Sequence, residues 1–357
     1  MLEFIELNNQ LEIDQFIISQ EETGHILQSY EWGELRRSEG HIVKRFGLKR
    51  DGKIIVLCQL VLHRLPKWYP SKKKYIGEVW RGPVVDSTTK ISEFEFFLDK
   101  IQEWASGQDV VFIKFEPRFV KGIKFESSLK KLCIIGEDTF IPSTLSLNID
   151  RSEEMIYSGI DKVTRKNIRK AERKGVLVDI VTNQDKQRLS IHDLYKLLEV
   201  TSNRAGFRVR SRHFYDKLIA IQSKYFKQII IEARVDGNIA AAYLCLIMGD
   251  TIYTPYSGSD RKFSEYKAND LINWQLIKYA KSIGLKKYDQ WGILPEDAPT
   301  HDTMWGVTRF KLAFGGNRED YIGAYDLVVD QSDYKLFSFA WSVRLLLKNI
   351  KKKYFKS

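Results

Sequence analysis

Cysteine is scarce here, with Cys58, Cys133 and Cys245 spread over 357 residues. Three thiols without CxxC spacing exclude a disulfide framework and a thiolate metal site, and each sits in an apolar run ("VLCQL", "KLCII", "YLCLI"), as in a reducing compartment. The six histidines, His25, His41, His63, His192, His213 and His301, show no ligand spacing, so no metal is expected. No apolar run approaches roughly 18 residues, so no membrane span is expected. The nearest stretch, Leu336 to Leu347, contains Arg344 and runs into "KNIKKKYFKS", which reads as an amphipathic helix with a basic tail. The start, "MLEFIELNNQLEI", is acidic and lacks the cationic region of a secretory leader. Also missing are GxxxxGK[ST], GxGxxG after a strand, GxSxG and HExxH. These absences leave cofactor-free, metal-free chemistry, or binding alone. They point to a cytoplasmic protein, with peripheral contact at the inner membrane face as a further option.

Hydrophobic residues make up 43% and aromatics 13%, enough for extensive cores. Lys and Arg number 57 against 46 Asp and Glu, and the net charge of +11 favours polyanionic partners. The cations are densest in "KVTRKNIRKAERKG", Lys162 to Gly175. At helical spacing, Lys162, Arg165, Lys166, Arg169, Lys170, Arg173 and Lys174 share one broad face, with Ile160, Thr164, Ile168 and Ala171 opposite. Only Glu172 interrupts the stripe, so its counter-charge is either solvent or a ligand.

Elements alternate along the chain. Asp51-Gly52 and Asp236-Gly237 mark hairpins, and Gly249-Asp250 a further turn. "ISEFEFFLDKIQEWASGQ" and "KANDLINWQLIKYAKSIG" have the helical period, each followed by a strand-like run. In both halves helices precede a hairpin that a further helix and strand follow. That order predicts an α+β chain of two related units, residues 1–150 and 151–325, with a C-terminal helix at 326–357.

Among individual residues, Lys311 in "RFKLAFGG" reads from composition as a surface lysine or a catalytic one, and Tyr253 and Tyr256 in "YTPYSGS" as core tyrosines or pocket donors. Together with "LQSYEWGELRR", "RGPVVD", "TRKNIRKAERKGV", "TSNRAGFRVRSRHFYDKL" and "YSGSDRKFSEYKANDLINWQLIKYAKSIGLKKYDQWGI", these segments resemble, in order, the FemABX family of tRNA-dependent aminoacyltransferases that build peptidoglycan interpeptide bridges. The resemblance spans about Gln28 to Asp326 and is to the short members lacking a helical-hairpin arm.

It implies two tandem GNAT-like (acyl-CoA N-acyltransferase-like) domains, with the C-terminal helix packed back on the first. It also implies an activity: transfer of an amino acid from aminoacyl-tRNA, a co-substrate and not a cofactor, to the stem peptide of UDP-MurNAc-pentapeptide or lipid II. On that resemblance Lys311 stabilises developing negative charge near the ester. Arg210 and Tyr256 match positions that hold the precursor's phosphates and stem, Tyr215 is a further candidate, and Arg36 (or Arg37) shares the duty from the first domain. Glu116, before a proline, matches an acidic position that orients the attacking amine or accepts its proton; the other reading is a strand-end structural carboxylate. Lys166, Arg169, Lys170 and Arg173 suit an RNA backbone. Ile141, where many relatives have glutamine, and Asn317 depart from the pattern.

Three other readings compete. An acetyl-CoA N-acyltransferase would need a [QR]xxGx[GA] loop, which is absent. A tRNA donor with a lipid or protein acceptor remains, whereas a non-catalytic RNA-binding module would have no need of Lys311, Arg210 and Tyr256.

Overall fold

The computed structural model describes residues 1–66, 69, 71, 73, 75–205, 208–299 and 301–354, with backbone alone for 205 and 345–354. The chain divides into two compact units, Met1–Thr139 with Ile322–Ser357, and Phe140–Tyr321. The first contains β1 (Leu2–Glu6), β2 (Ile42–Arg50), β3 (Lys53–Arg64), β4 (Tyr75–Trp80), β5 (Val84–Val85), β6 (Val110–Glu116) and β7 (Ile134–Ile135). The second contains β8 (Ser143–Asn148), β9 (Leu177–Val181), β10 (Lys227–Val235), β11 (Asn238–Met248), β12 (Thr251–Ser259), β13 (Lys287–Gly292) and β14 (Asn317–Asp320). The chain then returns to the first sheet as β15 (Tyr325–Val328).

The first sheet runs β1-β2-β3-β4-β6-β15-β7, with β5 on β3; the second, read from β9, runs β9-β10-β11-β12-β13-β8-β14. Along these paths the pairing sense matches position by position. Every neighbour is antiparallel except β4 with β6 and β12 with β13, which are parallel. The repeat of order seen in the sequence is thus one strand arrangement built twice.

Local signals explain the elements. Asp51 (φ 51°) with Gly52 (φ 80°), and Asp236 (φ 49°) with Gly237 (φ 78°), supply the two left-handed residues that a tight hairpin needs. β3 and β11 are apolar on both faces because helices or loops cover both. The helix Ile91–Ser106 buries Phe94, Phe97, Leu98 and Ile101 against Cys58, Leu60 and Ile113 of its sheet. In the second unit Leu271, Ile272, Leu276 and Ile277, from the helix Ala268–Ser282, occupy the corresponding place against Ile229, Ile231 and Tyr243. Each such side chain, fully buried, contributes roughly 1.5–3 kcal/mol.

The second unit begins earlier than the sequence suggests. Ser143–Asn148 pairs with β13 and β14, so residues read as the end of the first half build the second sheet, while Ile322 to Tyr325 fall in the first unit. The helix Gln331–Tyr354 packs on the first unit as expected, with Tyr334, Phe337 and Ala340 against Leu65, Tyr69, Val111 and Phe112.

Candidate active site

In the second unit the parallel pair holds register only from Thr251↔Lys287 to Tyr253↔Asp289. Beyond it β12 runs on to Ser259 unpaired with β13, and β13 passes an irregularity between Asp289 and Gly292 on its other side. The cause is local: Trp291 has φ 66°, a conformation that side chains rarely adopt, and its N–H donates to Asp289 Oδ1 (2.7 Å). Asp289, 2% exposed, also accepts from Thr144 Oγ1 at 2.7 Å.

The turn aims the Gly292 carbonyl at the helix Trp305–Leu312, where Lys311 Nζ donates to it at 2.8 Å. Thr308 Oγ1, accepting from Leu294 N at 3.0 Å, fastens the same helix to the chain beyond β13. Burial pushes the Lys311 amine down to about 8, and the negative charge of Asp289 partly opposes the fall. At neutral pH the amine therefore still carries its proton. One carbonyl leaves an ammonium with donors to spare.

Ile141 lies against this point, since a Cβ on Gly292 would come 3.3 Å from its own Cβ. Beside Asp289, Gln290 is 1% exposed, and neither of its amide atoms has a hydrogen-bond partner among the described residues. Tyr253 meets Trp291 edge-on, with ring centroids 6.3 Å apart.

β12 connects this group to a second. Tyr256 packs edge-on against Tyr215 (5.2 Å), Phe214 lies against both, and Arg210 places its guanidinium over the Phe214 ring at 4.6 Å. Arg210, Tyr215 and Tyr256 are thus brought together on a wall formed by the helix Arg212–Ala220 and β12. Burial raises the Tyr215 hydroxyl, helped by the neighbouring Tyr256, so it stays a neutral donor. Behind the strands, a relay of hydrogen bonds from Thr254 to Tyr288 (3.0 Å), Tyr288 to Asn273 (2.7 Å) and Asn273 to Tyr243 (3.2 Å) ties β11, β12 and β13 to the helix Ala268–Ser282.

The helix Lys162–Arg173 forms where it was predicted. Asp161 caps it by accepting from Val163 N at 2.8 Å, Thr164, Ile168 and Ala171 are its buried face, and Gly175 (φ 72°) follows its C-terminus. Lys166, Arg169 and Arg173 are exposed and Lys170 half-buried, and among the described residues none of the four is in an ion pair. Lys174 differs, binding Glu265 at 2.7 Å and lying over the Tyr266 ring.

The first-unit candidates are more enclosed. The Arg36 side chain is 4% exposed, binds Glu39 and His41 Nε2 (2.7 Å for the latter), and stacks over Trp80 at 5.1 Å. The Arg37 side chain is 39% exposed and donates to Glu34 and to the Val43 carbonyl, both at 2.8 Å. Glu116 is buried at the end of β6; one oxygen accepts from Thr139 N at 2.7 Å and the other from the Thr139 hydroxyl. A cavity of about 580 Å³ in this unit is walled by the C-terminal helix, Tyr69, Phe112 and Lys114, and none of the three candidates lines it.

Asp289, Thr144 and Trp291 escaped the sequence reading. The available signal was a lone carboxylate ahead of an aromatic and a glycine at a strand end, in "YDQWG". Among the described residues no group of three or more His, Cys, Asp or Glu side chains is placed to hold a metal ion.

Comparison with known proteins bears on the family and the fold. The FemAB family model matches residues 9–128, 141–229 and 219–341. The chain is similar to the lipid II:glycine glycyltransferase of Staphylococcus haemolyticus (strain JCSC1435), with 23% identity covering 94% of this chain and 95% of that one. The crystal structure of FemX superposes with a TM-score of 0.80 at 18% identity, over 94% of this chain and 99% of that one. A tandem GNAT protein from the clavulanic acid biosynthesis pathway superposes at 0.52 with 10% identity, over 92% and 99% respectively. The fold is that of two tandem GNAT-like domains, and the chain belongs to the FemAB family.

Proposed function

We propose that this protein is an aminoacyltransferase of peptidoglycan bridge formation, taking an amino acid from aminoacyl-tRNA and adding it to the stem peptide of a lipid-linked or nucleotide-linked precursor. The family and the glycyltransferase name of its relative support the acceptor class. The single observation that carries the chemistry is Lys311, a half-buried ammonium held by one carbonyl at the open end of a parallel strand pair.

The donor ester is already activated, so catalysis reduces to bringing two substrates together and stabilising charge. The stem-peptide amine attacks the ester carbonyl, forming the C–N bond and an oxyanion that Lys311 Nζ–H stabilises. Collapse breaks the C–O bond, and the proton lost by the amine ends on the departing ribose oxygen. No redox partner or external oxidant is needed. Lys166, Arg169, Lys170 and Arg173 take RNA phosphates, while Arg210, Tyr215 and Tyr256 take the precursor.

Both first-unit arginines are paired with a glutamate, Arg36 with Glu39 and Arg37 with Glu34, and Arg37 is the better exposed for an anion. The Glu116 contacts favour a tether for Thr139 over a proton acceptor. Substrates of this kind place the reaction in the cytoplasm, at the inner membrane face when the acceptor is lipid-linked.

The test combines purified protein, a pool of radiolabelled aminoacyl-tRNA and UDP-MurNAc-pentapeptide or lipid II, with acetyl-CoA as the donor in a parallel tube. Label reaching the precursor, and abolished by RNase, is the expected result. Transfer from acetyl-CoA alone would overturn the reading.

A further inference from the structure

The helix Gln331–Tyr354 has two apolar stripes and uses one. Tyr334, Phe337 and Ala340 face the sheet, and Trp341 stacks on Phe337 while donating to Glu137 Oε2 at 3.2 Å. On the far side, at 100° per residue, stand Leu336, Phe339 and Val343, which remain 36%, 69% and 40% exposed. In the sequence the same spacing of apolar residues continues through Leu347 and Ile350.

Charge along this segment is one-sided. Asp330 and Asp333 open it, and after Asp333 the sequence holds Lys335, Arg344, Lys348, Lys351, Lys352, Lys353 and Lys356 without one acidic residue. Apolar residues on an outward stripe, among cations and no acids, match an anionic bilayer surface, where the side chains enter the headgroup boundary and the lysines meet phosphates. A second copy of the same stripe would bring its own cations against these.

We propose that the outward stripe Leu336–Phe339–Val343, with the lysines that follow it, docks the protein on the surface of an anionic bilayer. The inference deepens the proposed function, on which it rests for its meaning, by favouring an acceptor already in the membrane. The binding itself does not depend on that reading.

The test floats the full-length protein with vesicles of phosphatidylcholine alone, or with about 30% phosphatidylglycerol, at low and high salt. Binding to the anionic vesicles is expected, falling about tenfold or more in Phe339→Ser/Val343→Ser and again at high salt. Thermal melting and transfer to the water-soluble precursor show that the variant is folded. Equal flotation of variant and parent, or no flotation of the parent on anionic vesicles, would overturn the docking. So would a parent dimer that the double variant splits, because the stripe would then belong to a self-interface. Flotation without any transfer activity would support the docking while removing the proposed function; transfer to the soluble precursor without flotation would do the reverse.

Discussion

In both sheets the fourth and fifth strands run parallel, and in both a buried carboxylate ends their ladder: Glu116 opposite Trp80, and Asp289 opposite Tyr253. Each accepts from a threonine hydroxyl and from a backbone N–H, Glu116 from Thr139 and Asp289 from Thr144 and Trp291. The surroundings then diverge. In the first unit the ladder continues from Tyr75↔Val110 to Trp80↔Glu116, and Arg36 lies on Trp80 with its charge taken by Glu39. In the second the ladder stops after Tyr253↔Asp289, the chain turns at Trp291, and a half-buried lysine sits at the opening. On the proposed function, the same framework serves as a fastening in one copy and as the reaction centre in the other. On that reading a buried carboxylate does not by itself mark the chemistry; strands that run on unpaired beyond it, and the cation beside them, do.

The comparison can be broken most forcefully at the two charged groups. Lys311→Ala is expected to lower the transfer rate about 10²–10³-fold with little change in tRNA affinity, since its hydrogen bond strengthens only as the oxyanion forms. Glu116→Gln is expected to lower the rate by less than about tenfold and to show its effect in thermal melting, because a tether costs about 1–3 kcal/mol when one partner is replaced. Rate reductions of equal size would erase the distinction between the units.

Next in size is the basic stripe. Replacing Lys166, Arg169, Lys170 and Arg173 with Gln should weaken tRNA binding and flatten its salt dependence. On duplex the slope changes by up to about 0.9 log units for each phosphate no longer neutralised, and by less on a single strand. A salt titration with an unchanged slope would return the stripe to a solvated face.

A smaller effect follows from the burial of Lys311. Its folded-state amine sits at about 8 against 10.5 for an ordinary lysine, so between those values the unfolded chain binds the extra proton and stability rises with pH. Below about pH 8 both states are protonated and the cost of burying the charge is fully present. Lys311→Met should therefore raise the melting temperature at about pH 7, with the gain shrinking towards pH 10. A gain that stays constant with pH would mean the amine is not held as described.

Much of the fold could be read locally, because the information is local: Asp-Gly pairs that accept positive φ, apolar residues at helical spacing, Asp161 and Gly175 bracketing the basic helix. The homes of β8 and β15 could not, since which sheet takes a strand depends on partners far along the chain. The site divides the same way. Lys311, Arg210, Tyr215 and Tyr256 are candidates because they lie in the motifs that carry the family resemblance. What makes Lys311 distinctive is the Gly292 carbonyl nineteen positions earlier and the Asp289 charge beside it, and only folding brings these together. The enclosure of Arg36 by Trp80 and His41 was hidden for the same reason.

The most direct test of Lys311 as the cation at the centre is the pH dependence of the single-turnover transfer rate, taken as the ratio of parent protein to Lys311→Met. Taking a ratio cancels the ionisation of the attacking amine, common to both. The ratio should be large and flat below about pH 7 and fall towards one as pH passes through about 8. A ratio that rises with pH would mean that the neutral amine acts, as a base, and would contradict the account.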